Sequence, residues 1–323
     1  MKRFLLNRLL VSLLTIFTLA TILFLVFRLG PTDPTLAVMG DVSSPEMRAV
    51  LTERFGLDKS LWEQYVIYMW NLAQGDMGTS FVYGQPVSQL IGGRLLNTVV
   101  LMLPSLVLAY GFGAVAGAYI AWRRGGTLEV TTVTTSIIFR SGPIFWVAIM
   151  FIYIFSIQLG WFPQSHMRTP GYSGGDGLWV YFSWDFLHHL ILPMVVMALY
   201  YSCYPLLIMR TSMLEVMGED FIDLAKAKGL SENRVLFRHA MRNSLLPIVT
   251  SISGIAALAI GGSVLIENVF SWPGLGRMIV AAVQDSDFPL AQGCLLLLGI
   301  TVIIGNFAVD LLYGVFDPRI RYA

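Results

Sequence analysis

From Leu9 to Phe27 the chain runs for 19 residues without a charge. Five further apolar stretches follow at roughly 98–122, 131–159, 187–209, 245–266 and 289–315, and the first extends to about 29. About 20 residues of helix cross a hydrocarbon core of ~30 Å. Lipid offers no partner to a backbone N–H or C=O, so each must be paired within its own segment or in a closed barrel. Barrel strands alternate apolar and polar residues at period two, and these stretches do not. The expected fold class is therefore an all-α polytopic membrane protein with six transmembrane helices. Charged residues make up only 13% of the chain, against about 25% in a soluble domain, which agrees with a surface given over to lipid. The net charge of +1 supplies no basic field for nucleic acid. The first stretch is longer than the core of a signal peptide, so it is expected to remain as a span.

Lys and Arg set the orientation. With the N-terminus inside, the inner segments hold Lys2, Arg3, Arg8, Arg123, Arg124, Arg210, Lys226, Lys228, Arg234, Arg238, Arg242, Arg319 and Arg321, which is 13 of the 21 basic residues. Both termini are expected to be cytoplasmic. The chain then divides into an N-terminal span (1–30), an extracytoplasmic segment (31–97), a core of five spans (98–315) with an inner loop (210–244), and a tail (316–323). Within the outer segment, residues 60–73 are amphipathic enough to lie at the membrane interface, with Trp62, Tyr65, Tyr68 and Trp70 as aromatic anchors.

The inner loop holds the most informative segment, Glu219–Gly229, EDFIDLAKAKG. Glu219, Asp220 and Asp223 load the start of a short helix, and Lys226 and Lys228 its end, as the helix dipole favours. Gly229 suits the left-handed residue that ends a helix. Phe221, Leu224, Ala225 and Lys228 share a face, and the small Ala225 and Ala227 allow close approach. A second helix is expected from Ser231 to Leu246. From the pattern alone this is either a solvated hairpin or a helix that docks on a cytoplasmic partner.

Other residues have two readings as well. Arg140 is a lone cation deep in the third stretch, which is expected to continue through Gly142 and Pro143. Such a charge faces protein or water, either on a transport pathway or as a structural partner to another subunit. Trp272, Pro273, Gly274 and Gly276 form a turn signal between the last two stretches, read either as a rigid turn or as an outer gate or a contact for an extracytoplasmic partner. Asn306 and Asp310 suit interhelical hydrogen bonds. His188 and His189 are adjacent on a helix and point about 100° apart, so no metal site is expected. Cys203 and Cys294 lie in apolar runs as small buried hydrophobes.

Several stretches carry a family resemblance. Residues 211–250, TSMLEVMGEDFIDLAKAKGLSENRVLFRHAMRNSLLPIVT, resemble the cytoplasmic loop of ABC importer permeases, and most nearly the dipeptide/oligopeptide/nickel branch. GDMGTSF (75–81), RLLNT (94–98), NVFSWPGLGR (268–277) and VDLLYGVFDPRIR (309–321) match it too. Where the wider family has Glu-Ala-Ala, this chain has Asp223, Leu224 and Ala225, with Gly229 four residues on. The resemblance implies a type I ABC importer permease (MetI-like) fold in a bacterial cytoplasmic (inner) membrane. It implies a second homologous permease, two cytoplasmic ATPase subunits and an extracytoplasmic substrate-binding protein as partners. Helix 219–228 becomes the coupling helix. Peptides are the implied cargo, with nickel complexes, oligosaccharides and opines as alternatives.

No GxxxxGK[ST] phosphate loop occurs in the chain, so no cofactor is expected here, with ATP and Mg bound by the partner ATPases. A stand-alone secondary transporter leaves the capped loop helix without a purpose. An intramembrane enzyme needs paired catalytic groups within spans, and none is present.

Overall fold

The computed structural model describes residues 2–30, 56, 58–172 and 177–316. The chain is helical, and among the described residues β pairing is limited to one isolated bridge, Thr79 to Pro86. In order, the helices are α1 (Lys2–Leu29), α2 (Leu61–Ala73), α3 (Val87–Trp122), α4 (Thr127–Ser141), α5 (Ile144–Phe151), α6 (Trp184–Val216), α7 (Asp220–Ala227), α8 (Glu232–Arg234), α9 (Met241–Asn243), α10 (Leu245–Val269), α11 (Leu275–Gln284) and α12 (Phe288–Phe316). Among the described residues four helices are single, long and apolar enough to cross a membrane, in α1, α3, α6 and α12. The 25-residue α10 stands where the fifth span is expected.

The third span differs from expectation. It is not one helix but two, α4 and the segment Ile144–Gln158, bent by 106°. Pro143 has no N–H to give, and its ring pushes the preceding residue out of helical geometry. Gly142 is accordingly extended, at φ −78° and ψ 158°. The Pro143 carbonyl instead starts the next helix, accepting from Trp146 N at 3.0 Å and Val147 N at 3.2 Å. Each arm of 15 residues reaches about 22 Å, short of a ~30 Å core. Past Phe151 the second arm widens into a π-helical stretch, Ile152–Gln158.

The described residues form two compact units, within the ranges that follow. The first comprises Met1–Thr98 and Pro273–Phe307. Its core joins Ala20 and Leu23 of α1 to Leu296 of α12, with Tyr68, Met69 and Leu72 of α2 packed against them. The α2 helix starts on a capping box: Ser60 Oγ accepts from Glu63 N, and Glu63 Oε2 accepts from Ser60 N at 2.9 Å. Only part of its expected aromatic face is free. Trp62 and Trp70 are exposed, whereas Tyr65 and Tyr68 turn onto Phe24 with ring centroids 5.3 and 5.6 Å away.

The second unit comprises Val99–Trp272 and Ala308–Ala323. One of its buried clusters centres on Phe186, Met197, Tyr201, Ile266, Phe270 and Trp272. Another gathers Ala114, Ala118, Met209, Met213, Ile222, Ala225, Val235 and Leu236. Glycines set how closely α3 meets α6. A Cβ on Gly113 would lie 2.7 Å from the Ser202 carbonyl oxygen, and one on Gly117 would strike that of Leu206. Pro205, inside α6, lies against Gly113.

Candidate functional site

The short helix α7 forms as its end charges demand. Asp220 and Asp223 lie in its first turn and Lys226 in its last, and Lys226 Nζ pairs with Asp223 Oδ1 at 3.3 Å. Glu219 is the N-cap residue by its extended backbone, without a side-chain cap bond. Gly229 has φ +75°. Its N–H bonds the Lys226 carbonyl at 2.9 Å, and Leu230 N bonds that of Ala225 at 3.4 Å. This paired bonding is a Schellman stop, which needs a left-handed residue and so favours glycine. A Cβ there would meet nothing within 4 Å, so the constraint is conformational alone.

The two faces of α7 differ from the grouping that helical spacing suggests. Ile222 is fully buried and Ala225 nearly so, both in the cluster of Met209, Met213, Val235 and Leu236. Ala225 therefore supports close approach to its own unit, not to an outside surface. Phe221 is 39% and Leu224 56% exposed, with Asp220, Asp223, Ala227, Lys228 and Gly229 also exposed. An exposed Phe and Leu on a helix pinned from behind make a small apolar knob ringed by charge. The expected second helix is present but irregular: α8, a π-helical stretch Val235–Ala240, and α9.

Arg140 sits in the last turn of α4, just before the bend, and is exposed. The straight span expected around it does not exist. A helix end presents unpaired carbonyls that favour a cation. The guanidinium carbon lies 4.5 Å from the centre of the Tyr200 ring, a cation–π contact.

Trp272 is fully buried, 5.8 Å from the ring centroid of Phe186, and its N–H bonds the Glu267 carbonyl at 2.8 Å. Ser271, at φ 51°, makes the sharp turn before it. Gly274 is buried at the N-cap of α11 and Pro273 half-buried. In the first unit Asn97 Nδ2 donates to the Pro273 carbonyl at 2.8 Å, and Leu275 N donates to Thr98 Oγ1 at 2.8 Å. Asn97 and Thr98 of the one motif thus meet Pro273 and Leu275 of the other.

GDMGTSF is held in a similar way by a residue the sequence reading did not single out. Asp287 is wholly buried and caps α12, accepting from Leu290 N at 3.3 Å. It also accepts from Ser80 Oγ, and from the N–H groups of Phe81 at 3.1 Å and Val82 at 3.2 Å. An Asp three residues before Leu290 at the edge of an apolar run is a legible cap signal; its tie to residues 80–82 is not. His188 Nε2 lies 2.8 Å from the Trp161 carbonyl oxygen and His189 Nδ1 2.8 Å from that of Asp185, so each ring has its own local bond. The Asp310 side chain and residues 317–323 lie outside the described residues.

Comparison with known proteins gives two family matches that cover nearly the whole chain. Residues 1–102 match the N-terminal model of binding-protein-dependent transport system membrane components. Residues 113–322 match the model of binding-protein-dependent transport system inner membrane components. The oligopeptide transport system permease protein AppB of Bacillus subtilis is 36% identical over 323 residues, covering 100% of both chains. The di/tripeptide transport system permease protein DppB of Pseudomonas aeruginosa is 37% identical, over 100% of this chain and 99% of its own. The dipeptide transport system permease protein DppB of Alkalihalophilus pseudofirmus is 33% identical over the full length of both.

Proposed function

The chain belongs to the family of inner membrane components of binding-protein-dependent transport systems, and from that premise we propose that it carries di- or oligopeptides across the bacterial cytoplasmic membrane as one of two homologous permeases. It is a multi-pass transport subunit of an ABC importer and not itself an enzyme. Peptide as cargo is supported by the full-length relatives, whose names specify dipeptide, di/tripeptide and oligopeptide transport.

Two ATPase subunits, holding ATP and Mg, supply the work, and an extracytoplasmic binding protein delivers the peptide. Both termini lie in the cytoplasm. The α7 helix is the coupling helix, and the observation that carries this reading is its division into a buried and an exposed apolar face. Ile222 and Ala225 anchor it, while Phe221 and Leu224 stand free to fill a groove on the ATPase. Arg140 faces the pathway, where its charge meets the peptide carboxylate; its exposure at a helix end supports that role. Trp272, Pro273 and Gly274 serve as a rigid turn, a reading supported by the burial of Trp272.

Uptake by the complete transporter in proteoliposomes tests the cargo. ATP-dependent accumulation of a labelled tripeptide, competed by unlabelled peptides and not by nickel or oligosaccharide, is the expected result. Selective uptake of a non-peptide would replace the peptide reading. Arg140→Gln is expected to lower uptake of anionic peptides with the two permeases still joined, and Arg140→Lys to keep part of it. Separation of the permeases in Arg140→Gln would assign the charge to the subunit interface.

A further inference from the structure

One ion pair in the second unit ties together elements far apart in sequence. Glu129, in the first turn of α4, is 8% exposed. Its Oε1 accepts from Arg210 Nε of α6 at 2.6 Å and also meets Arg210 Nη2. Its Oε2 accepts from Gly125 N at 2.7 Å, in the turn that joins α3 to α4. Gly125 adopts φ +82°. One carboxylate thus clasps α4, α6 and the end of α3. Arg210 lies between Met209 and Met213 of α6, and both methionines share the buried cluster with Ile222 and Ala225 of α7.

We infer that Glu129 and Arg210 are positioning residues of the transport cycle, which pass a displacement of α7 through α6 to α4. This rests on α7 being the helix that meets the ATPase. Apolar packing is non-directional, so on its own it lets one helix slide along another. A charge pair made through a planar guanidinium fixes both distance and register. Removing either partner leaves the other charge partly buried and uncompensated, which resists opening. The α4 helix then moves as a rod, and its far end carries Arg140 and the bend at Gly142–Pro143. Work at the loop reaches the bend through the clasp.

The test uses the complete transporter in proteoliposomes and reads peptide taken up per ATP hydrolysed. Glu129→Gln and Arg210→Gln are each expected to leave the ATPases bound and hydrolysing, and to lower uptake per ATP about tenfold, a usual size for coupling between sites. The exchange variant, Glu129→Arg with Arg210→Glu, restores the ion pair but not the acceptor for Gly125 N–H. It is expected to recover much of the ratio and not all of it. An unchanged ratio in the single variants would overturn the inference. So would a parallel loss of uptake, hydrolysis and assembly that the exchange does not repair, since that is a structural role alone. If the single variants do not assemble, a short bifunctional thiol reagent can join Glu129→Cys to Arg210→Cys, the native Cys203 and Cys294 being buried. Transport that survives the cross-link supports a clasp that stays closed; transport lost in an intact complex overturns it. Failure of the α7 reading is separately visible, as unchanged ATPase binding in Leu224→Asp.

Discussion

The α7 loop and the Trp272–Gly274 turn carry equally recognisable sequence, yet their apolar side chains point in opposite senses. In α7 two large apolar residues are exposed on a helix anchored from behind; at the turn the largest apolar residue is fully enclosed. A motif match does not separate these cases, because a family keeps residues for packing as well as for contact. Burial separates them. The turn encloses its Trp272 side chain, whereas α7 presents Phe221 and Leu224 at its surface.

The strongest way to break this contrast is Trp272→Ala. Emptying a buried site of that size costs about 3–5 kcal/mol, so the variant is expected to lose thermal stability and membrane yield. A stable, abundant variant that fails only to accept the binding protein would make the turn a contact surface after all. Asp287→Ala comes next. It removes the acceptor of the buried Ser80 hydroxyl, at about 1–3 kcal/mol for that group, and the tie to the N–H groups of Phe81 and Val82. Proteolysis of the purified protein within residues 75–86 should quicken, and unchanged protection there would count against Asp287 as the tie.

Gly229→Val sharpens the comparison from the other side. A left-handed residue with a Cβ costs about 1–2 kcal/mol, and here there is no added clash. Insertion into the membrane is expected to persist while hydrolysis no longer drives uptake. Normal uptake would show that the end of α7 does not need this geometry. The smallest effect belongs to α2. Hydrogen bonds from Ser60 hold the Glu63 carboxyl below its ordinary value of 4.5. That contribution is present above the unfolded value and is lost as pH falls through the depressed folded one. Protection of the amide protons at the start of α2, relative to their intrinsic exchange, should therefore fall as pH drops below 4.5, and Ser60→Ala should remove that dependence.

The parts legible in sequence are those written by neighbouring residues. Run length marked α1, α3, α6 and α12, four of the six expected spans, and the order of acidic and basic residues with Gly229 marked α7 and its stop. The bend at Gly142–Pro143 carried a breaker signal, but the continuous apolar run on both sides led to one straight helix. Hydropathy records what a segment can lie in and not its direction. The buried face of α7 was misassigned at Ala225 because spacing places residues around a helix without saying which side meets the core. Glu129 with Arg210, and Asp287 with Ser80, stand 81 and 207 residues apart, and no local pattern joins such pairs.

The most direct measurement compares the two faces of α7 in the assembled transporter. Leu224→Cys and Ile222→Cys, each treated with a short cross-linker that joins a thiol to a lysine amine, report which side meets the ATPase. The account predicts a permease–ATPase product from Leu224→Cys and none from Ile222→Cys. Cross-linking at Ile222→Cys with none at Leu224→Cys, in a complex that still transports, would contradict it.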